Sequence, residues 1–307
     1  MKKWTLSVML AFSAVFATAQ KQDDNNPHTL LWQISGNGLQ QPSYLFGTIH
    51  MLCSDDAVLS DSLKHIISRC KEVYLEVDMD NLFEMLGMMK HMKMRDDTTL
   101  ADLLSKEDFE KVKSYFDNKG GLIPFSMLGT FKPMLSMSTL EEADIPCESA
   151  VAMEQLIMEE AKRDNKPIKG LETMAYQASI FDSIPYKLQA EQLVAYIDSA
   201  VAGNDHSSQE FAKLLAAYKN QDLEQLQALI NKDDDGMAQY SNLLLYNRNR
   251  NWVEKLKNLM PGKSLLVAVG AGHLPGDKGV ISLLRKAGYK VTPVNNDMHK
   301  KMDIQSI

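Results

Sequence analysis

Two stretches more than two hundred residues apart share one figure, and any fold of this chain has to accommodate both. Ser43 to Leu52 reads SYLFGTIHML: a short apolar run ends at Gly47, and His50 follows three residues on. Leu265 to Val269 (LLVAV) runs into Gly270, and His273 again follows three residues on. A short apolar run bounded by glycine predicts a buried strand that ends in a sharp turn. In open α/β sheets, ligands collect in the crevice beyond the carboxyl ends of the strands. The repeated figure therefore places two imidazoles where chemistry is expected.

The remaining pattern surrounds those two strands with others. Leu30 to Ile34 reads as a strand that returns through the Gly36-Asn37-Gly38 turn. Glu72 to Asp78 (EVYLEVD) alternates, with Val73, Leu75 and Val77 on one face and Tyr74, Glu76 and Asp78 on the other. Pro167 to Leu171 is a further short strand leading into Glu172, and Lys290 to Val294 follows a helix over Gly279 to Ala287. Helices are expected over Ser60–Cys70, Asn81–Met94, Ser149–Arg163 and most of Thr173–Leu259, broken at Pro185, Gly203 and the Asp233–Gly236 turn. Ser105 and Asp108 form a capping-box pattern opening another helix, which Gly120-Gly121 can close. The expectation is an α/β (α+β) fold over residues 29–297. Its sheet is assembled from N- and C-terminal segments, and it carries a long helical insertion at about residues 81–260.

Composition narrows the function classes. Forty acidic residues outnumber thirty-three basic ones and no basic cluster stands out, which argues against nucleic acid or an anionic membrane as partner. Met1 to Ala19 has two lysines, a short apolar stretch and a small-residue end, the pattern of a signal peptide. An exported, periplasmic or secreted protein is expected, with a polar lead-in over residues 20–28. Export permits one disulfide among Cys53, Cys70 and Cys147, and the spacing does not select the pair.

Around the two histidines, Glu76 and Glu172 sit near strand ends. If their strands lie parallel beside the histidine strands, two imidazoles and two carboxylates converge on one sheet edge. Such a set could bind a divalent ion through His50, His273, Glu76 and Glu172, or pair an acid with a base without metal. Imidazole ligands favour Mn, Co or Zn over Mg. Either histidine alone fits a core or turn position better than a catalytic one, and each carboxylate alone fits a solvated strand end; the repetition is what points to chemistry. Asp78 is a weaker member of the same set. Arg248 and Arg250, on one helix before Trp252, offer a guanidinium that could orient the carboxylates or steady an oxyanion, or two solvated arginines. The six methionines between Met79 and Met94 are expected to fill core, with an adaptable peptide-binding surface as the alternative.

Taken in order, FGTIH, YLEVD, KGLET, RNRNW, VGAGHLPGDKGV and GYKVTPV resemble the TraB/GumN family, over Leu31 to Val294. The resemblance implies kinship with TIKI-like metalloproteases, in which the two Gly-x-x-His motifs and glutamates are implicated in metal-dependent peptide cleavage. By position these are His50, His273, Glu76 and Glu172, and the family's late Arg-Asn-x-x-aromatic pattern falls on Arg248, Asn249 and Trp252. A more distant likeness, to erythromycin-esterase-like enzymes, implies hydrolysis by histidine and glutamate without a metal. The functions implied are thus a metal-dependent hydrolase acting on a peptide or protein substrate, a metal-free His/Glu hydrolase, or a protein that sequesters peptides and cleaves nothing.

Overall fold

A computed structural model describes residues 28–298 apart from 122, 144, 146, 148, 204–205 and 233–237. The signal peptide, residues 20–27 of the lead-in, the Asp233–Gly236 turn, His299 and the side chain of His206 lie outside the described residues. The strands are β1 (Leu31–Ser35), β2 (Ser43–Thr48), β3 (Leu52–Cys53), β4 (Glu72–Val77), β5 (Ala150–Val151), β6 (Ile168–Glu172), β7 (Leu265–Gly270) and β8 (Lys290–Pro293). Six of them form one mixed sheet in the order β6-β4-β7-β2-β1-β8, and β3 pairs with β5 apart from it.

The centre of that sheet is the predicted pair. β2 and β7 run parallel with Gly47 opposite Val269 and Thr48 opposite Gly270, so both Gly-x-x-His turns leave the sheet at the same level. β4 lies parallel to β7 on the other side, and β6 parallel to β4 with Val77 opposite Glu172. Four carboxyl ends thus line up along one edge. β7 is buried over its first five residues, as a central strand covered on both faces must be, which is why its sequence is continuously apolar. Gly47 is required by packing: a Cβ there would meet Ala271 Cα and Leu274 Cδ2, each at 3.1 Å. The turn after β7 lies directly over the end of β2.

The hairpin of β1 and β2 turns through Gly36, Asn37 and Gly38, all in the left-handed region with φ of 76°, 48° and 83°. The expected sheet from the two chain ends is present, and β6 joins it from the middle of the chain. The long helical stretch is consequently divided. Helices Lys106–Lys119 and Pro133–Ala143 share with Tyr186–Val201 a separate core built on Val112, Phe116, Leu140 and Leu193, while Trp252, Val253 and Leu256 of helix Asn247–Leu259 join the sheet's core.

Two local expectations change. The helix expected from Ser149 begins at Met153, because Ala150 and Val151 instead pair with Leu52 and Cys53. The methionine-rich helix, Leu82–Met92, has no buried residue; Met79, Met85 and Met89 are exposed, and Met94 is the one that enters the core. Cys53 and Cys147 form the disulfide and Cys70 is a buried free thiol. No helix among the described residues is long and apolar enough to cross a membrane.

Candidate functional site

The shared sheet edge brings Glu76, Glu172, Arg248 and His273 into one buried cluster, with His50 beside it. Glu76 sits one residue before the end of β4, and its two oxygens have different company. Oε1 accepts from the Gly270 backbone N–H at 2.8 Å, and Oε2 accepts from Arg248 Nη2 at 2.5 Å and Gln177 Nε2 at 2.9 Å. A Cβ on Gly270 would stand 3.2 Å from Glu76 Oε1, so this glycine keeps the amide accessible to the carboxylate. Burial alone would raise the Glu76 carboxyl, but His273, Arg248 and the Gly270 amide outweigh it and hold it at about 2. The guanidinium is the lasting charge among them, since His273 is neutral at ordinary pH.

Glu172 ends β6. Arg248 Nε reaches Glu172 Oε1 at 3.3 Å and Oε2 at 3.0 Å, and Nη2 reaches Oε2 at 3.0 Å, so one guanidinium bridges both carboxylates. Its third nitrogen, Nη1, donates to the Leu244 carbonyl at 3.0 Å and lies 3.3 Å from His273 Nε2. Leu244 belongs to a π-helical turn, Asn242–Tyr246, immediately before the helix that carries Arg248; such insertions cluster at functional sites. Trp252, one turn on, lies 4.8 Å below the guanidinium and 4.5 Å from the His273 ring. Lys255 on the same helix donates to the carbonyls of Gly170 and Leu171, tying the helix to the end of β6.

His273 is buried, and its tautomer follows from its neighbours. The Asn249 amide nitrogen donates to the carbonyls of Lys278 (2.9 Å) and His273 (3.4 Å), so the amide oxygen faces His273 Nδ1 at 2.6 Å. Nδ1 therefore carries the proton and Nε2 the lone pair. Burial pushes this imidazole down to about 4, with Arg248 acting in the same direction against Glu76. His50 has the opposite surroundings: its side chain is 69 % exposed, and its Nδ1 stands 2.9 Å from Oε1 of the buried Glu154. The hydrogen bond to Glu154 raises the imidazole to about 9, and because the ring is mostly exposed, water reduces the size of that effect and not its sign.

Asp78 and Arg250 do not join the cluster. Asp78 Oδ1 accepts from the Asp80 amide at 3.2 Å, and Arg250 pairs with Asn247 on the helix surface. Two residues that do join, Glu154 and Gln177, escaped the sequence reading. Glu154 looks like an ordinary acidic residue in the first turn of a helix, and Gln177 like a solvated helix position.

Whether the cluster suits a divalent ion turns on its donors. Among the described residues no three His, Cys, Asp or Glu side chains converge as a closed ligand set. The donors are of the right chemical kind, but as arranged those of His273 and Glu76 are engaged by Arg248, Gln177 and the Gly270 amide. Both imidazoles have Nδ1 beside an oxygen, as metal-ligating histidines commonly do, but His273 Nε2 meets Arg248 Nη1 at 3.3 Å. His273 Nε2 also lies 3.7 Å from the ionised Glu76 Oε1.

Comparison with known proteins matches most of the chain. The TraB/PrgY/gumN family model matches residues 30–293. Metalloprotease TIKI2 of Danio rerio is 22% identical over 321 residues, covering 88% of this chain and 61% of that protein. Metalloprotease TIKI1 of Homo sapiens is 21% identical, covering 91% of this chain and 65% of that protein. An uncharacterized protein YbaP of Shigella flexneri is 21% identical, covering 79% of this chain and 88% of that protein. The aligned region thus spans roughly two thirds of the length of the TIKI relatives.

Proposed function

This chain belongs to the TraB/PrgY/gumN family, and from that membership we propose that it is an exported hydrolase that cleaves peptides with the help of a divalent ion. The observation that supports the reading is the pair of Gly-x-x-His turns at the ends of adjacent parallel strands, beside the Glu76 carboxylate. An ion held by His50, His273 and Glu76, with Mn, Co or Zn favoured, would have to take the place of Arg248 at His273 Nε2 and Glu76. When bound, such an ion polarises a carbonyl and acidifies water. Glu76 stays ionised throughout and so can accept a proton but not donate one. Glu172 belongs with Arg248: its oxygens hold the guanidinium, which in turn fixes Glu76 and the His273 ring.

A peptide substrate is supported by what lies next to the cluster. Helix Leu82–Met92 follows β4 and presents Leu82, Phe83, Met85, Leu86 and Met89 to solvent, with Phe83 86 % exposed. Glu84 on this helix accepts from the Met174 amide at 2.8 Å, two residues after Glu172, so the apolar face starts at the edge of the site. An adaptable methionine surface of this kind suits apolar side chains of an extended chain. Export is supported by the disulfide and by the signal-like N-terminus.

The metal-free reading is favoured by one observation of its own: Arg248 already pairs with both carboxylates, and His50, with its raised pKa, is a proton donor at neutral pH. Metal analysis of protein purified without chelator, together with mass spectrometry of a peptide library after incubation, separates the readings. Stoichiometric metal that disappears in His273→Ala, and cleavage abolished by EDTA, support the metal-dependent hydrolase. Cleavage that survives EDTA shifts the assignment to the metal-free one, and retention of uncleaved peptides shifts it to a binding protein.

A further inference from the structure

Gln177 has one half of its side-chain amide spoken for and the other half free. It lies half-buried in helix Met174–Ile180, and its amide nitrogen reaches Glu76 Oε2 at 2.9 Å and Glu172 Oε2 at 3.5 Å. Arg248 donates to the same two oxygens, so both are acceptors, and an amide turned the other way would set oxygen against oxygen. The nitrogen is thereby fixed on the carboxylates and the oxygen, Oε1, is turned away from them. Oε1 accepts from no group among the described residues, and it is not sealed from solvent.

The helix that carries this oxygen is held at both ends. The Met174 amide donates to Glu84 Oε2 at 2.8 Å, and the Tyr176 amide to Thr173 Oγ1 at 3.1 Å. The carbonyl of Ala178, next to Gln177, accepts from Lys132 Nζ at 2.7 Å; Lys132 is buried and paired with Asp182 Oδ1 at 2.9 Å. Just beyond the helix, Gln189 Nε2 donates to the carbonyls of Phe181 and Ile184, each at 2.8 Å. An acceptor on so firm a base binds a donor with little further ordering cost.

Two features identify the donor. Helix Leu82–Met92 lies against helix Met174–Ile180, so an extended chain seated on Phe83, Leu86 and Met89 and running to Glu76 would pass Gln177. An apolar surface of this sort takes side chains of many kinds, and main-chain hydrogen bonds set the register of the chain. Polarity is the second feature: a fixed acceptor favours a group that donates, as a peptide N–H does and an ester oxygen cannot. Were Gln177 needed only to hold two carboxylates, a side chain ending in donors alone would serve, as Lys255 does for the carbonyls of Gly170 and Leu171. We infer that Gln177 is a substrate-contacting residue whose side-chain oxygen accepts a backbone N–H of the bound peptide and so selects amide-linked chains over esters. This rests on the reading of the site as one for peptides and requires no metal ion.

An amide-to-ester scan tests this. Short random peptides are incubated with the full chain, and mass spectrometry identifies those retained or cleaved. One such peptide is then synthesised with each backbone amide replaced in turn by an ester, and affinity is read by competition with a labelled copy of the parent. With the wild type, one ester position is expected to weaken binding by about 5- to 100-fold. In Gln177→Met the parent peptide should bind more weakly, and the penalty at that position should shrink to about twofold or less, since the cycle isolates the contact between oxygen and N–H. A purely structural Gln177 would lower affinity for the peptide and all its esters alike, so an ester penalty unchanged in Gln177→Met overturns the inference. A wild-type scan in which no ester position weakens binding overturns it too. Independently of how the variant folds, the Gln177 side-chain carbonyl carbon signal of the wild type should shift with the parent peptide and not with that ester; equal shifts overturn the contact. These three failures leave the peptide reading standing. If no peptide is retained or cleaved, the peptide reading itself falls, and the role of Gln177 with it.

Discussion

The two Gly-x-x-His turns are alike in sequence and opposite in environment. His273 has a side chain 6 % exposed, tilted against Trp252, with a neutral amide oxygen on Nδ1 and a guanidinium beside Nε2. His50 has a side chain 69 % exposed and a carboxylate on Nδ1. Burial without a full countercharge drives the first imidazole towards its neutral form, and an anionic partner drives the second towards its cation. One figure thus yields a preorganised, neutral imidazole and an exposed, proton-holding one. The half of the site around His273 is part of the core; the half around His50 leaves the core at the end of β2 and reaches water.

That difference can be broken at several points. The largest effect is expected from Arg248→Ala, which leaves two buried carboxylates facing each other uncompensated. Chemical denaturation should register a loss of about 3–5 kcal/mol, and a change below about 1 kcal/mol would mean that the cluster is wetter than described. His273→Ala comes next, at about 2–3 kcal/mol, since it removes a packed ring and frees the Asn249 oxygen and Arg248 Nη1. His50→Ala should change stability by less than about 1 kcal/mol near neutral pH, because its ring is mostly in water. Both histidine variants are nonetheless expected to lose peptide cleavage, so comparable stability losses in the two would erase the contrast drawn above.

The pH dependence sharpens it further. His273 has a folded value below the ordinary 6.5, at about 4, so its contribution is full above pH 6.5 and is lost as pH falls towards 4. Glu76, at about 2 against 4.5, adds a loss in the same direction further into acid. His50 is raised, to about 9, so its contribution is full below pH 6.5 and is lost as pH rises towards 9. Thermal melts from pH 4 to pH 9 should therefore show an acid slope that disappears in His273→Ala and a shallower alkaline slope that disappears in His50→Ala. The smallest expected effect is Phe83→Ser: no measurable change in stability, and several-fold weaker capture of apolar peptides, measured with a catalytically dead background such as His273→Ala.

Much of the scaffold was legible because its signals are local. The runs before Gly47 and Gly270 had to be buried strands, and Ser105 and Gly120 marked both ends of a helix, with Ser105 accepting from the Asp108 amide and Gly120 in the left-handed region. The methionine stretch was misjudged because an apolar side chain reads the same whether its helix faces core or solvent. The helix expected from Ser149 was shortened by a partner strand ninety-odd residues away, which no local pattern announces. Glu154 and Gln177 were invisible for the same reason: acid and amide are ordinary on helices, and their importance lies entirely in what faces them.

By itself, then, the sequence determined the local elements and the recurrence of a glycine and a histidine after two apolar strands, since these depend on neighbours a few residues apart. The tertiary structure alone decided that those strands would lie side by side and in register. It also decided that Arg248 would bridge two carboxylates from different strands, and that one imidazole would be buried and neutral while the other met Glu154. Protonation state, tautomer and accessibility are set by desolvation and by charges brought together across the fold, and identical short sequences placed in unlike surroundings acquire unlike chemistry.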